Sequence, residues 1–335
     1  MSRPSRALVV KLSSLGDLFH ALPAVHILKR DLNLSLDWVA QPEYVDLVSR
    51  FDDVDRVIPF PRRRFFRSLH AWITALRAES YEYVFDFQGL LKSAIATRIA
   101  RAHRRIGPSY HREGARIFYG EIAGTSDKNR HAVEEALDFV HHFDLTPDDT
   151  PCFPVTFPSQ SLATPSPRVA YLPCSRWMTK NWPPEHFSAL IDAIHERVGG
   201  SAYLLGSRDD RSTCDRIDSG TDTDITNLCG ETSLVELGGY LQSFDLLITV
   251  DSGPMHMASA VGTPVLALFG STDPRRTGPY GEGHRVVQHG ALPCQPCRAR
   301  VCLRPEKDMA CMRDLKPERV ADIACDLLAQ IGGSG

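Results

Sequence analysis

Short runs of Val, Ile, Leu and Phe alternate along this chain with longer stretches of helical period, and that alternation constrains the fold more than any other feature. A strand covered on both faces must be apolar throughout, and parallel strands are so covered because crossover helices return over the sheet. The pattern predicts an α/β class built of βαβ units. In the first half, strands are expected near Ala7–Leu12, Leu36–Ala40, Arg56–Phe60 and Tyr83–Phe87, with helices near Asp17–Arg30, Phe65–Glu79, Leu90–Ala102 and His131–Phe143. In the second, strands are expected near Val169–Leu172, Ala202–Leu205, Leu246–Val250 and Val265–Phe269, with helices near Pro184–Val198, Leu234–Gln242, Met255–Val261 and Glu318–Ile331.

Between Leu145 and Arg168 the period stops, and Pro147, Pro151, Pro154, Pro158, Pro165 and Pro167 sit among Ser, Thr and Asp. This is a linker composition. It separates a first Rossmann-like domain over residues 1–150 from a second over 169–335, with 151–168 as linker, and a chain of 335 residues is long enough for two cores. Two such halves are expected to flank a cleft. With 38 Lys and Arg against 41 Asp and Glu, the net charge of −3 argues against a chain that binds nucleic acid over its whole surface. No run of about 18 apolar residues offers a membrane-spanning helix, and Met1 to His20 lacks the apolar core of a secretory signal. The expected compartment is the cytoplasm.

Two strand-to-helix turns carry the candidate chemistry. Ser13-Ser14-Leu15-Gly16-Asp17 follows the first strand, where the carboxyl end of a parallel strand usually meets ligand. Asp17 reads either as half of a capping box with Ser14 or as a chemical group. The turn has one glycine rather than the Gly-x-Gly-x-x-Gly of a dinucleotide site, which disfavours a nicotinamide-dependent oxidoreductase. The second turn, Asp251-Ser252-Gly253-Pro254-Met255-His256, puts Ser252 and Gly253 at a helix start, where backbone N–H groups attract phosphate. The alternative there is a plain turn with Asp251 as N-cap.

Together these segments resemble the lipopolysaccharide heptosyltransferases of glycosyltransferase family 9. The likeness rests on Val9-Val10-Lys11-Leu12-Ser13-Ser14-Leu15-Gly16-Asp17 with His20-Ala21-Leu22-Pro23, on Asp86-Phe87-Gln88-Gly89-Leu90-Leu91-Lys92-Ser93-Ala94, and on Lys180-Asn181-Trp182-Pro183. It continues through Asp251 to His256, then Gly270-Ser271-Thr272-Asp273-Pro274 and Gly278-Pro279-Tyr280-Gly281. The resemblance implies a GT-B fold with acceptor on the N-terminal domain and nucleotide-sugar on the C-terminal one. It implies inverting transfer of heptose from ADP-heptose to the lipopolysaccharide inner core, with the first turn most like enzymes that add the first heptose to 3-deoxy-manno-octulosonate on lipid A. A later heptose, or another nucleotide-sugar, is the runner-up. By the same resemblance Asp17 falls on the catalytic base, Lys180 on the lysine that contacts the donor diphosphate, and Asp251, Ser252, Gly253 and His256 on the donor pocket. Ser252-Gly253-Pro254-Met255 departs from the Thr-Gly-Leu-Ser of many members, which bears on the preference for sugar or base.

The chemistry agrees. A carboxylate can make an acceptor hydroxyl nucleophilic, and a lysine with helix-end N–H groups can stabilise a departing diphosphate without a metal. From Phe60 to Gly120 twelve Lys or Arg stand against four acids, so the acceptor should be anionic; by the resemblance Arg62, Arg63 and Arg64 stand where the family contacts acidic groups of the acceptor, a solvated helix start being the alternative, and Lys92 is a further expected contact. No nucleic-acid reader motif accompanies this charge. The same segment is the expected contact with the inner membrane, to which the protein would bind peripherally. Asp53-Val54-Asp55 and Asp222-Thr223-Asp224 read as turn residues rather than divalent-ion sites. Cys294, Cys297, Cys302 and Cys311 leave open reduced loop thiols, a structural zinc or iron, or disulfides.

Overall fold

Each half of the chain folds around a parallel sheet of six strands. The computed structural model describes residues 4–61, 65–127, 129–290 and 292–332. In the first unit, Met1–Thr156, the strands are β1 (Ser5–Val10), β2 (Leu34–Ala40), β3 (Arg56–Pro59), β4 (Ser80–Asp86), β5 (Arg101–Pro108) and β6 (Glu121–Ala123). Their spatial order is β3-β2-β1-β4-β5-β6. The crossovers are α1 (Leu15–Asp31), the short α2 (Val45–Val48), α3 (Phe65–Arg77) and α4 (Leu91–Ile99), and α5 (Ala132–His141) packs on α1. α1 is buried on nearly every side, from Leu15 to Leu28, as befits a helix that is apolar all round.

The second unit, Phe157–Gly335, repeats the plan. Its strands are β7 (Arg168–Leu172), β8 (Ser201–Leu204), β9 (Ile225–Asn227), β10 (Leu246–Val250), β11 (Val265–Phe269) and β12 (Arg285–Gln288). They stand in the order β12-β11-β10-β7-β8-β9. Its helices are α6 (Pro184–Val198), α7 (Arg211–Asp218), α8 (Leu234–Leu241), α9 (Gly253–Ala260), the short α10 (Pro274–Thr277) and α11 (Ala310–Arg313), and α12 (Pro317–Gly332). α6 buries Phe187, Leu190, Ile191 and Ile194, the i, i+3, i+4, i+7 stripe that places one face on the sheet. Every residue of β10 and β11 is buried, which is why these two strands were the most legible.

Four strands escape the sequence pattern. β6, β9 and β12 are short edge strands with few fully buried residues, so they lack the apolar run. β5 carries Arg101, Arg104 and Arg105, and its first residues read as the end of a helix. Pairing with β4, from Ser80 opposite Arg101 to Phe85 opposite Ile106, overrides that local preference. Its arginines find internal partners: Arg104 grips Glu121 bidentately at 2.8 and 2.6 Å, and Arg105 donates to the carbonyls of Thr97 and Ala100. Part of the basic surplus between Phe60 and Gly120 is therefore structural.

In both sheets the strand order reverses at one place, between β1 and β4 in the first unit and between β7 and β10 in the second. At such a switch point the two neighbouring crossovers leave to opposite faces and open a crevice at the carboxyl ends of the strands, where ligands bind.

Candidate active site

The first switch point is tied shut below the crevice by hydrogen bonds between the residues that follow β1 and β4. Lys11 Nζ donates to Phe87 O at 2.8 Å, and Tyr110 OH donates to the same carbonyl at 2.9 Å. Gln88 Oε1 accepts from both Leu12 N and Ser13 N at 3.1 Å. Asp86 Oδ1 accepts from Gln88 N and Gly89 N, and its Oδ2 from Tyr119 OH at 2.7 Å. Gly89 stands at φ +69°, and a Cβ there would meet Pro108 Cγ at 2.8 Å, so the turn demands glycine. Burial pushes the Asp86 carboxyl up and pulls the Lys11 ammonium down, the latter opposed by the charges of Asp17, Asp86 and Glu135.

Asp17 stands above this frame in the first turn of α1. Its Oδ2 accepts from Ser14 N at 2.8 Å and from Ser14 Oγ at 2.7 Å. Its Oδ1 lies 3.8 Å from Nδ1 of buried His20, and the side chain remains 43% exposed. One oxygen holds the helix start, as the capping reading expects, while the carboxylate stays partly exposed at the strand end. His20 in turn packs edge-on against His131, with ring centroids 5.6 Å apart, and His131 caps α5 by accepting from Val133 N.

At the second switch point two groups distant in sequence meet. Lys180 follows β7 and Asp251 follows β10, and Lys180 Nζ lies 2.7 Å from Asp251 Oδ2. Thr272, after β11, donates its hydroxyl to the same oxygen at 2.6 Å. Asp251 is buried, so its charge needs these partners. Neighbours in the chain hold Lys180 in place: Asn181 Oδ1 accepts from Ser175 N at 2.7 Å, and Trp182 Nε1 donates to Leu315 O at 3.0 Å. The ammonium also lies 4.8 Å from the centre of the Trp177 ring. Beside the pair, α9 begins at Gly253, with Ser252 rather than Asp251 as N-cap and Pro254 in the first turn. Ser252 Oγ is 3.2 Å from Thr249 Oγ1, and His256 is buried one turn in. A lysine and a helix start at one switch point can bind a diphosphate.

A profile described as glycosyltransferase family 9 (heptosyltransferase) matches residues 69–307, from within α3 into the cysteine loop, taking in β4 to β6 and the whole second sheet. The chain belongs to glycosyltransferase family 9. It is a glycosyltransferase of GT-B fold. A protein of Pseudomonas aeruginosa, lipopolysaccharide heptosyltransferase 1, is 29% identical over 94% of this chain and 92% of its own length. The protein of that name from Escherichia coli K12 is 27% identical over 84% of this chain and 93% of its own. Among solved structures, E. coli heptosyltransferase WaaC with ADP aligns with a TM-score of 0.78 at 25% identity, covering 96% of this chain and 99% of that one.

The family motifs fall at the two switch points, and the remaining candidates are distributed around them. Lys92 is half-buried in the first turn of α4, directly after the Asp86 to Gly89 turn. Arg62, Arg63 and Arg64 lie outside the described residues. Asp53 and Asp55 are turn residues that bond His26 Nδ1 and Leu36 N, and Asp222 and Thr223 give their N–H groups to Asp192. Cys294, Cys297, Cys302 and Cys311 line one small cavity of about 20 Å³ together with Thr179 and Ser271. All four are free thiols, and burial pushes Cys311 up to about 11. Among the described residues no group of three or more His, Cys, Asp or Glu is arranged to hold a metal ion. The cysteine loop also buttresses the lysine segment, since Thr179, the residue before Lys180, donates its hydroxyl to Ala299 O at 2.7 Å. Sequence reasoning missed Lys11, Gln88 and Thr272 as partners. All three stand inside the family motifs, which was the available signal.

Proposed function

We propose that this glycosyltransferase moves a heptose from ADP-heptose to the inner core of lipopolysaccharide, on an acceptor of the 3-deoxy-manno-octulosonate–lipid A type, with inversion at the anomeric carbon. The observation that carries the reading is the Lys180–Asp251 pair at the start of α9, where a lysine ammonium and helix-end N–H groups share one switch point. Support comes also from the P. aeruginosa and E. coli relatives, whose names state heptosyl transfer to lipopolysaccharide, and from the solved relative with ADP.

In this reading Asp17 accepts the proton of the acceptor hydroxyl as its oxygen bonds to the anomeric carbon. The bond from that carbon to the ADP oxygen breaks on the opposite face. Lys180 and the N–H groups at Ser252 and Gly253 take up the charge that collects on the diphosphate, with Asp251 and Thr272 holding Lys180 in place and His256 lining the pocket. This arrangement requires no metal. Lys92 and the Arg62-Arg63-Arg64 run contact the anionic acceptor, and the basic segment holds the protein peripherally at the inner face of the inner membrane. Among the described residues no helix is long and apolar enough to cross a membrane.

The decisive experiment is Asp17→Asn. An amide oxygen can still accept from Ser14, so the helix start should lose at most about 1 kcal/mol. As base, the carboxylate is irreplaceable, and kcat should fall by roughly 10²–10⁴-fold while the thermal shift produced by ADP is retained. A variant that keeps more than about a tenth of wild-type kcat overturns the assignment. UDP, GDP and NAD in the same thermal-shift series should raise the melting temperature less than ADP does.

A further inference from the structure

The cysteine loop brings to the second switch point a cation that the chemistry above does not use. The loop is pinned where β11 ends: Gln295 Nε2 donates to Phe269 O at 3.2 Å and to Gly270 O at 2.9 Å. Arg298 N donates to Ser271 O at 2.6 Å, and the Arg298 guanidinium reaches Asp273 Oδ2 at 3.2 Å. Ala299 O takes the Thr179 hydroxyl. The backbone is thus fixed directly ahead of Arg300, whose guanidinium carbon lies 4.8 Å from the centre of the Trp177 ring. Lys180 Nζ lies at the same distance from that ring. Two cations therefore share one indole and stand no more than about 10 Å apart, within reach of the two ends of one diphosphate.

Their charges are not equally committed. Lys180 is matched by the buried Asp251 at 2.7 Å, and Arg275 and Arg298 share Asp273. Among the described residues no carboxylate pairs with Arg300, which is exposed. A nucleoside diphosphate carries at least two negative charges. A lysine already matched by an aspartate leaves those charges largely unanswered, and a helix start offers only about half a positive charge. A guanidinium held against an aromatic ring supplies what is missing, with paired N–H groups that fit two phosphate oxygens at once.

We propose that Arg300 is a second cationic contact to the donor diphosphate, which bridges it to Lys180, so that the cysteine loop forms part of the donor site. The proposal rests on the donor class given above.

The test is calorimetric titration of ADP and of AMP into the wild-type chain, Arg300→Gln and Arg176→Gln. Both arginines are exposed, so both variants should keep the wild-type melting temperature. Arg300→Gln should weaken ADP binding by about tenfold, the lower end of the range for a hydrogen bond to a charged group. AMP has one phosphate and cannot bridge both cations, so its affinity should fall by less than about twofold and the preference for ADP over AMP should shrink accordingly. Arg176→Gln removes an equal charge from the residue next to Trp177 and should leave ADP affinity within about twofold of wild type. Unchanged ADP affinity in Arg300→Gln overturns the proposal, as do equal losses for ADP and AMP. An equal loss in Arg176→Gln also overturns it, by showing a diffuse field rather than a contact. If UDP or GDP binds the wild type more tightly than ADP and with the same dependence on Arg300, the ADP-heptose reading fails and the assignment of Arg300 stands.

Discussion

His284 gives the second unit a built-in sensitivity to acid that can be worked out from its contacts. Val265 N–H donates to Nδ1 at 3.2 Å, so the proton of the neutral ring sits on Nε2, 2.8 Å from Ser259 Oγ. The Ser259 hydroxyl passes its own proton to Tyr280 O at 2.7 Å. Ser259 belongs to α9, so this chain of bonds fastens that helix to the Gly278 to Gly281 loop. A second proton would have to enter at Nδ1, where an N–H already points, and burial, opposed by the hydrogen bond to the Tyr280 backbone, pushes His284 from 6.5 down to about 4. The folded chain therefore refuses a proton that the unfolded chain accepts between these two values. Stability from this residue is fully present above about pH 6.5 and is lost as the pH falls toward 4. At about 1.4 kcal/mol per pKa unit, the whole effect is about 3 kcal/mol. Urea unfolding of the full chain at several pH values from 7.5 to 4, compared with His284→Gln, isolates it. The wild-type advantage over the variant should shrink with a slope approaching 1.4 kcal/mol per pH unit in the middle of that window. Parallel stability curves would refute both the tautomer and the burial argument.

Other outcomes follow from the same geometry. Lys180→Met should weaken ADP binding by about 10- to 150-fold, the equivalent of a charge-assisted contact worth about 1.5–3 kcal/mol, and should lower the melting temperature because Asp251 is left buried with Thr272 as its remaining side-chain partner at this point; an unchanged ADP affinity by calorimetry would place the lysine outside the donor site. Tyr119→Phe should destabilise the first unit by about 1–3 kcal/mol, since it removes the 2.7 Å bond to the buried Asp86 carboxylate; denaturant curves that superimpose on wild type would contradict that. Dialysis against EDTA should leave the transfer rate unchanged, and a loss restored by a divalent cation would overturn the metal-independent chemistry.

The sequence by itself determined which segments become buried strands and where ligand-facing turns follow them. β10 and β11 were legible to the residue because strands buried on both faces are nearly continuous apolar runs, with Thr249 as the one polar residue of the two. Asp17 and the Asp251 to His256 turn were legible because a motif that follows a strand and opens a helix is local, with its partners within a few residues. What lay beyond the sequence depended on strand order. Lys180 and Asp251 stand 71 positions apart, and only the adjacency of β7 and β10 brings them to 2.7 Å. The same holds for Lys11 and Phe87, joined across β1 and β4. The basic β5 became a strand through its ladder with β4, and the edge strands through theirs with one neighbour, since backbone pairing is indifferent to the side chains that a periodicity counts. Hydrophobic period is a property of one segment, whereas the site depends on which segments become neighbours, a choice made by the packing of the whole sheet.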